Sequence, residues 1–250
     1  MSRFYAPREN IKGDIIDISG REAKHILNVM RLKEDDKVVV FDGTGKEYTG
    51  FIRKAGTGSL TVEVVETRMP KKEILPRITL AQCIPKKQKM DYIVEKATEL
   101  GVSEIIPIIS ERVIVKLESD KAQTRIERWQ KIALEASKQC GRTEIPKINE
   151  IEKFYKTLDC VNNYDIALLA SLGTDAIPLE KAVSHIQAGR IIFFIGPEGD
   201  FTHEEITMAK DTNCRFVSLG KRVLKSDTAP LYVLSVLNYE LAKKINPPLL

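Results

Sequence analysis

Three short segments carry the residues whose types and spacing suit chemistry. They are Leu168-Leu169-Ala170-Ser171-Leu172-Gly173, then Ile195-Gly196-Pro197-Glu198-Gly199-Asp200-Phe201, then Leu219-Gly220-Lys221-Arg222-Val223-Leu224-Lys225-Ser226-Asp227-Thr228-Ala229. Each continues an apolar run into glycine and small residues, which let main chain approach a ligand and offer it N–H and C=O groups. Gly196-Pro197-Glu198-Gly199 leads to Thr202 and Glu205, the spacing of a capping box, so a helix is expected from about His203. A strand, a rigid turn and a helix N-terminus then follow without slack, which serves ligand binding and plain chain reversal alike. In the third segment Arg222 and Lys225 precede Asp227, placed to cap a last helix that Thr228 opens, with Pro230 in its first turn. Other chemistries are disfavoured. G-x-G-x-x-G is absent, and Gly45-Lys46 and Gly220-Lys221 lack the spacing of a P-loop. The three histidines, His25, His185 and His203, include no pair at zinc-ligand spacing, so no metal site is expected.

The elements that must position these segments alternate. From Ile78 to Cys83 the chain reads as a strand, followed by a helix from about Met90 to Leu100 that Gly101 stops, a strand Ile105 to Ile109, and a helix from about Arg125 to Cys140 that Gly141 stops. Strands at Ile166–Leu169, Ile191–Ile195 and Phe216–Leu219 and a helix from Thr228 to about Lys244 complete an α/β pattern with a largely parallel sheet. Such sheets bind ligands at the carboxyl ends of their strands, where the three segments fall. Ile93, Ala97 and Leu100 share one helical stripe, and Trp129, Ala133, Ala136 and Cys140 another; both read as core, Trp129 included. The chain before Thr67 is different. Lys37–Phe41, the turn Asp42-Gly43-Thr44-Gly45, Glu47–Arg53 and Leu60–Val65 read as strands of a small β-barrel. One helix interrupts it, with Ser19 and Glu22 as a capping box ahead of Ala23, Ile26, Leu27 and Met30, and with His25 as a half-buried surface residue. The expected division is a domain over 1–68, a polar, proline-flanked linker over 69–76, and a domain over 77–250.

The 250 residues are 43% hydrophobic and 30% charged, enough for a sizeable core and too polar for a membrane protein. Lys+Arg 39 against Asp+Glu 35 leaves +4, which by itself names no nucleic-acid partner. Cys83, Cys140, Cys160 and Cys214 are far apart, Met1-Ser2-Arg3-Phe4-Tyr5 has no apolar signal region, and apolar runs such as Ile191–Ile195 are far shorter than a bilayer span. A cytoplasmic protein without a membrane partner is expected.

On these residues the chain resembles the RsmE family of bacterial methyltransferases. The likeness rests on Gly196-Pro197-Glu198-Gly199 with Phe201, on Leu219 to Ala229, and on Met90-Asp91 with Lys96-Ala97-Thr98-Glu99-Leu100-Gly101-Val102. Ser110-Glu111-Arg112, Arg128 to Ala133 and Cys140-Gly141-Arg142 extend it, while Arg3-Phe4 and His25 to Arg31 are similar to that family's PUA-like RNA-binding domain. Asp200 stands where the family has a second glycine and Asp227 where it has a glutamate. The resemblance implies a SPOUT-type catalytic domain with a trefoil knot, a homodimer with its active site at the subunit interface, and S-adenosylmethionine held in the knot loops. It implies as cofactor residues Leu169, Ser171, Leu172, Ile195, Gly196, Pro197, Glu198, Gly199, Leu219, Gly220, Val223, Leu224, Thr228 and Ala229.

The implied reaction is methylation of N3 of one uridine in 16S ribosomal RNA, with the RNA expected as a partner within the 30S subunit. Methyl transfer from a sulfonium mainly needs alignment, and N3 becomes a good nucleophile once its proton is lost. Arg222 is then the candidate to orient the base or stabilise charge, and Asp227 or bulk water the candidate proton acceptor. Phosphate contacts are expected from Arg3, Arg8, Lys24, Arg31, Lys86, Lys87 and Lys89, and the dimer contact from Leu231, Leu234, Val236, Leu237 and Leu241 of the last helix. The rival readings are a SPOUT enzyme acting on a ribose 2′-oxygen or on transfer RNA, and an RNA-binding ribosome-assembly factor without catalysis.

Overall fold

The computed structural model describes residues 3–69, 76–112, 119–184 and 189–245; the expected linker falls largely on 70–75, outside the described residues, as does His185. The chain forms two compact units, Met1–Glu73 with Ser137–Ile145, and Ile74–Ala136 with Pro146–Leu250.

The first unit is built on β1 (Arg3–Tyr5), β2 (Ile11–Lys12), β3 (Ile15–Ser19), helix α1 (Gly20–Lys24), β4 (Lys37–Phe41), β5 (Glu47–Gly56) and β6 (Ser59–Arg68). Its sheet runs β1-β4-β5-β6-β3-β2. Alternation explains it: Ile16 and Ile18 of β3, Val38 and Val40 of β4, and Leu60 and Val62 of β6 turn inward onto Phe4, Ala23 and Ile26. The capping box expected at Ser19 does not form, since its side chain makes no cap hydrogen bond. Glu22 is instead taken by partners distant in sequence, accepting from the Tyr5 N–H at 3.0 Å and from Lys138 Nζ at 2.8 Å. After α1 a single π-turn spans His25–Val29, and the half-buried His25 meets Phe4 edge-on.

The second unit holds β7 (Arg77–Cys83), α2 (Lys89–Glu99), β8 (Glu104–Ile109), α3 (Ser119–Cys140), β9 (Lys147–Ile148), β10 (Glu152–Lys153), α4 (Phe154–Asp159), β11 (Ile166–Ala170), β12 (Ile177–Pro178), α5 (Leu179–Val183), β13 (Arg190–Ile195), α6 (His203–Lys210), β14 (Cys214–Ser218) and α7 (Ala229–Ile245). The sheet order is β10-β8-β7-β13-β11-β14-β12, with β9 beside β8, and the pairings are parallel. Strands apolar on both faces, such as Ile191 to Ile195 at 2% exposure or less, are what a sheet covered on both sides requires. β13 lies between β7 and β11, and β14 between β11 and β12, although each enters after its neighbours in sequence. Ile93 and Ala97 of α2 and Trp129, Ala133 and Ala136 of α3 are buried as their spacing predicts; the second stripe stops short of Cys140, which is exposed. Trp129, 3% exposed, packs in the core and donates its Nε1–H to Asp91 Oδ1 at 3.2 Å. On α7, Leu234, Leu237 and Leu241 are buried whereas Leu231 and Val236 are half-buried. Among the described residues no helix is long and apolar enough to cross a membrane.

Candidate active site

Because β13, β11 and β14 are adjacent and parallel, their carboxyl ends lie side by side, and the loops that follow enclose a cleft of about 620 Å³. That is within the range of small-molecule sites, roughly 300–1,000 Å³. Its lining is Ala170 to Gly173 from the first loop, Ile195 to Glu198 with Asp200 from the second, and Ser218 to Ser226 from the third, joined by Lys89 and Ala229.

The second loop is held from outside the cleft. Thr202 and Glu205 form the expected capping box, Thr202 N–H donating to Glu205 Oε2 at 2.9 Å and Glu205 N–H to Thr202 Oγ1 at 3.2 Å. The second carboxylate oxygen of Glu205, a residue only 3% exposed, accepts the Glu111 N–H at 3.0 Å, while Arg112 Nη1 donates to the Gly199 carbonyl. Gly196 is closely packed: a Cβ there would come within 3.1 Å of the Phe201 ring, which is itself buried against Phe154 and has little room to yield. Gly220 differs, since its φ of +110° is a backbone conformation that side chains rarely adopt, whereas a Cβ there would meet nothing within 4 Å.

The cleft brings together most of the expected cofactor residues: Ser171, Leu172, Ile195, Gly196, Pro197, Glu198, Leu219, Gly220, Val223, Leu224 and Ala229 all line it, as does Arg222. Leu169, Gly199 and Thr228 do not. Leu169 is fully buried in the core, on the face of the covered sheet that also carries Ala167, Ile192 and Phe194. The basic residues divide. Arg8, Lys24, Arg31, Lys86 and Lys87 are exposed. Arg3 is engaged within its own unit by Glu47 at 3.1 Å and by the Gly141 carbonyl. Lys89 is not a free surface cation: it lines the cleft with Nζ 3.1 Å from Asp227 Oδ1 and 3.9 Å from Glu198 Oε1.

Asp227, offered by the sequence as a helix cap, thus turns its carboxylate to Lys89. Desolvation alone would raise its carboxyl, but the hydrogen bond from Lys89, its own backbone N–H and the charges of Lys89 and Lys225 outweigh that and hold it below the usual carboxylate value. This is the wrong direction for a proton acceptor. A carboxyl lowered in the folded state keeps its pairing above the ordinary value and loses it as pH falls through the lowered one. A carbon-13 NMR titration is therefore expected to give Asp227 a midpoint below about 3.9, rising in Lys89→Ala; a wild-type midpoint at or above that value contradicts the pairing.

Of the lining residues, Ser218 lies outside the three segments that the sequence singles out, while Ala170, Gly173 and Ser226 lie within them but are not among the expected cofactor residues. Ser226 is 6% exposed, and its Oγ, like Oε1 of the fully buried Gln82, is without a hydrogen-bond partner. Gln82 Nε2 donates to the Cys83 carbonyl at 2.9 Å and, at 3.5 Å, reaches the Ser226 carbonyl. An open polar atom such as Ser226 Oγ beside a cleft is a place where a ligand or an ordered water completes the hydrogen bonding.

A main-chain-lined cleft at the ends of parallel strands, with a separate small β unit in the same chain, defines the class when set beside known proteins. Residues 72–238 match the model of a family described as an RNA methyltransferase domain, and residues 18–65 that of an RNA methyltransferase PUA domain. The chain is an RNA methyltransferase by family. It is 32% identical over 228 residues to ribosomal RNA small subunit methyltransferase E of Bacillus subtilis, covering 89% of each chain, and 31% identical over 241 residues to that of Aquifex aeolicus, covering 95% of this chain and 99% of the relative. The crystal structure of ribosomal RNA small subunit methyltransferase E from Neisseria gonorrhoeae bound to S-adenosyl methionine superposes with a TM-score of 0.82 at 31% identity, covering 96% of this chain and 97% of that one. The chain belongs to the ribosomal RNA small subunit methyltransferase E family.

Proposed function

We propose that this protein transfers the methyl group of S-adenosylmethionine to N3 of one uridine in the 16S ribosomal RNA of the small subunit. The observation that carries the reading is the cleft itself, together with the cofactor bound by the Neisseria relative. Its residues suit that cofactor: main chain of three loops for an adenosine, the orphan Ser226 Oγ as a polar partner, and both signs of charge for an amino-acid end. We assign Ser171, Leu172, Gly196, Pro197, Gly220 and Leu224 to holding it. When bound it supplies an electrophilic methyl group whose departure leaves a neutral thioether, so the protein need only align and exclude water. Arg222, at the cleft and exposed, is assigned to orienting the base, and the N3 proton goes to solvent, since Asp227 is a poor acceptor.

N3 is on the Watson–Crick edge, so the target base must be unpaired and presented singly. RNA is read as held by the unit of β1–β6, and the proposed ribosomal substrate supports reading the enzyme as cytoplasmic. The insertion of β13 and β14 between strands already laid down supports the trefoil knot, and the exposed Tyr232 and Tyr239 beside the half-buried Val236 support pairing of two copies through α7. The domain division proposed is 1–68 and 77–250 along the sequence, with Ser137–Ile145 grouping in space with the first unit, and the six-stranded sheet is read as the PUA-like barrel.

Incubation with purified small ribosomal subunits and S-adenosylmethionine is expected to give 3-methyluridine on nucleoside mass spectrometry. A 2′-O-methylated nucleoside, or no product, defeats the reading. Substrate binding should also weaken with salt, and alanine at Arg8, Lys24 or Arg31 should each reduce the log–log slope by about 0.7–0.9 for every phosphate left without its cation. An unchanged slope in all three removes the first unit from the RNA interface.

A further inference from the structure

Lys89 is an unusual residue for its position. It opens α2, where the helix dipole disfavours a cation, so helix stability does not account for it. The turn before it includes Lys87 at φ +61°, a second local cost. What the placement achieves is visible at the other end of the side chain. The ammonium is pinned between carboxylates from two different loops of the cleft, Asp227 after β14 and Glu198 after β13. Glu198 Oε1 is held in turn by the Lys86 N–H at 3.1 Å. The other charged groups of the cleft are Asp200, Lys221, Arg222 and Lys225.

We infer that Lys89 is a catalytic residue whose ammonium faces the target uracil and neutralises the charge on its carbonyl oxygens when N3–H is lost, with Asp227 as the positioning residue that aims it. The inference rests on the proposed N3 methylation. As the N3–H bond breaks, its electron pair stays on the base and the proton passes to solvent. The resulting charge spreads over N3 and the flanking oxygens until the N3 pair forms the bond to the methyl carbon and the S–CH3 pair leaves on sulfur. A fixed cation beside those oxygens lowers the pH at which N3 ionises and costs no reorganisation in the reaction. Lys89 stays protonated throughout, so the step balances without a further reagent. Asp227, held ionised, keeps the ammonium in place without taking the proton itself.

The test compares wild type, Lys89→Ala, Lys89→Arg and Asp227→Asn on purified small ribosomal subunits, counting 3-methyluridine across pH, with S-adenosylmethionine affinity read separately by calorimetry. For Lys89→Ala the expected result is a loss of kcat of about a hundredfold at neutral pH, from removing one donor to a developing charge. The rising limb of its pH profile should move up by about one to three units. Cofactor affinity should fall far less than the rate. Lys89→Arg should recover part of the rate and of the shift, and Asp227→Asn should show a smaller displacement in the same direction. An unshifted profile in Lys89→Ala, or cofactor affinity falling as far as the rate, overturns the inference, because Lys89 would then only tie loops together. A reduced salt slope in Lys89→Ala, the sign of an ammonium that neutralises a phosphate instead of the base, also overturns it. If the wild type binds cofactor yet makes no 3-methyluridine, the proposed function falls first and the inference with it; if wild type makes it and the profile is unshifted, the inference falls alone.

Discussion

Replacing Glu205 by alanine is expected to lower the melting temperature of the second unit by roughly 6–12 °C, the shift that about 3 kcal/mol produces in a domain of this size. The carboxylate is 3% exposed and serves two backbone donors, Thr202 N–H at 2.9 Å and Glu111 N–H at 3.0 Å. Alanine leaves both without their partner, and an orphaned buried donor costs about 1–3 kcal/mol. It also removes half of the capping box that starts α6. Glu205→Gln, which retains an acceptor oxygen, should lose clearly less. Calorimetric scans of the three proteins check this, and an alanine variant melting within a degree or two of wild type shows that the carboxylate does not hold the loop.

Gly220→Val is expected to weaken S-adenosylmethionine binding by about ten- to a hundredfold while leaving the fold intact. At φ +110° a β-branched residue is strained by roughly 1–3 kcal/mol, and because Gly220 is exposed in a loop, the chain escapes by moving the loop instead of unfolding. Space is not the obstacle, since a Cβ there meets nothing within 4 Å. Gly196→Val has the opposite cause: its Cβ is forced toward the buried Phe201 ring, so it should lose stability by overpacking, about 1–3 kcal/mol. Isothermal titration beside thermal melts separates the two. Gly220→Val binding as tightly as wild type contradicts the role given to that turn.

The physical reason that much of the cleft was legible in the sequence is locality. Apolar runs such as Ile191–Ile195 and the Thr202–Glu205 box specify strand, turn and helix from neighbours within a few residues. The two-residue strands β9, β10 and β12 are too short to show a period, and α4 and α5 have little more than one turn each. Long-range pairing is invisible for another reason. Ser19 and Glu22 have the pattern of a cap, yet Lys138, 116 residues away, helps take the carboxylate. Lys89 reads as one charge in a basic run until the fold sets it against Asp227, 138 residues further on. Strand order likewise follows from non-local contacts, and nothing in the periodicity of β13 places it between β7 and β11.

Hydrogen–deuterium exchange of the protein with and without S-adenosylmethionine tests most directly the claim that the loops after β11, β13 and β14 together hold the methyl donor. Protection is expected in peptides covering 170–173, 195–200 and 218–226, with the strands over 37–68 unchanged. Protection confined to other segments, or none at saturating cofactor, contradicts it.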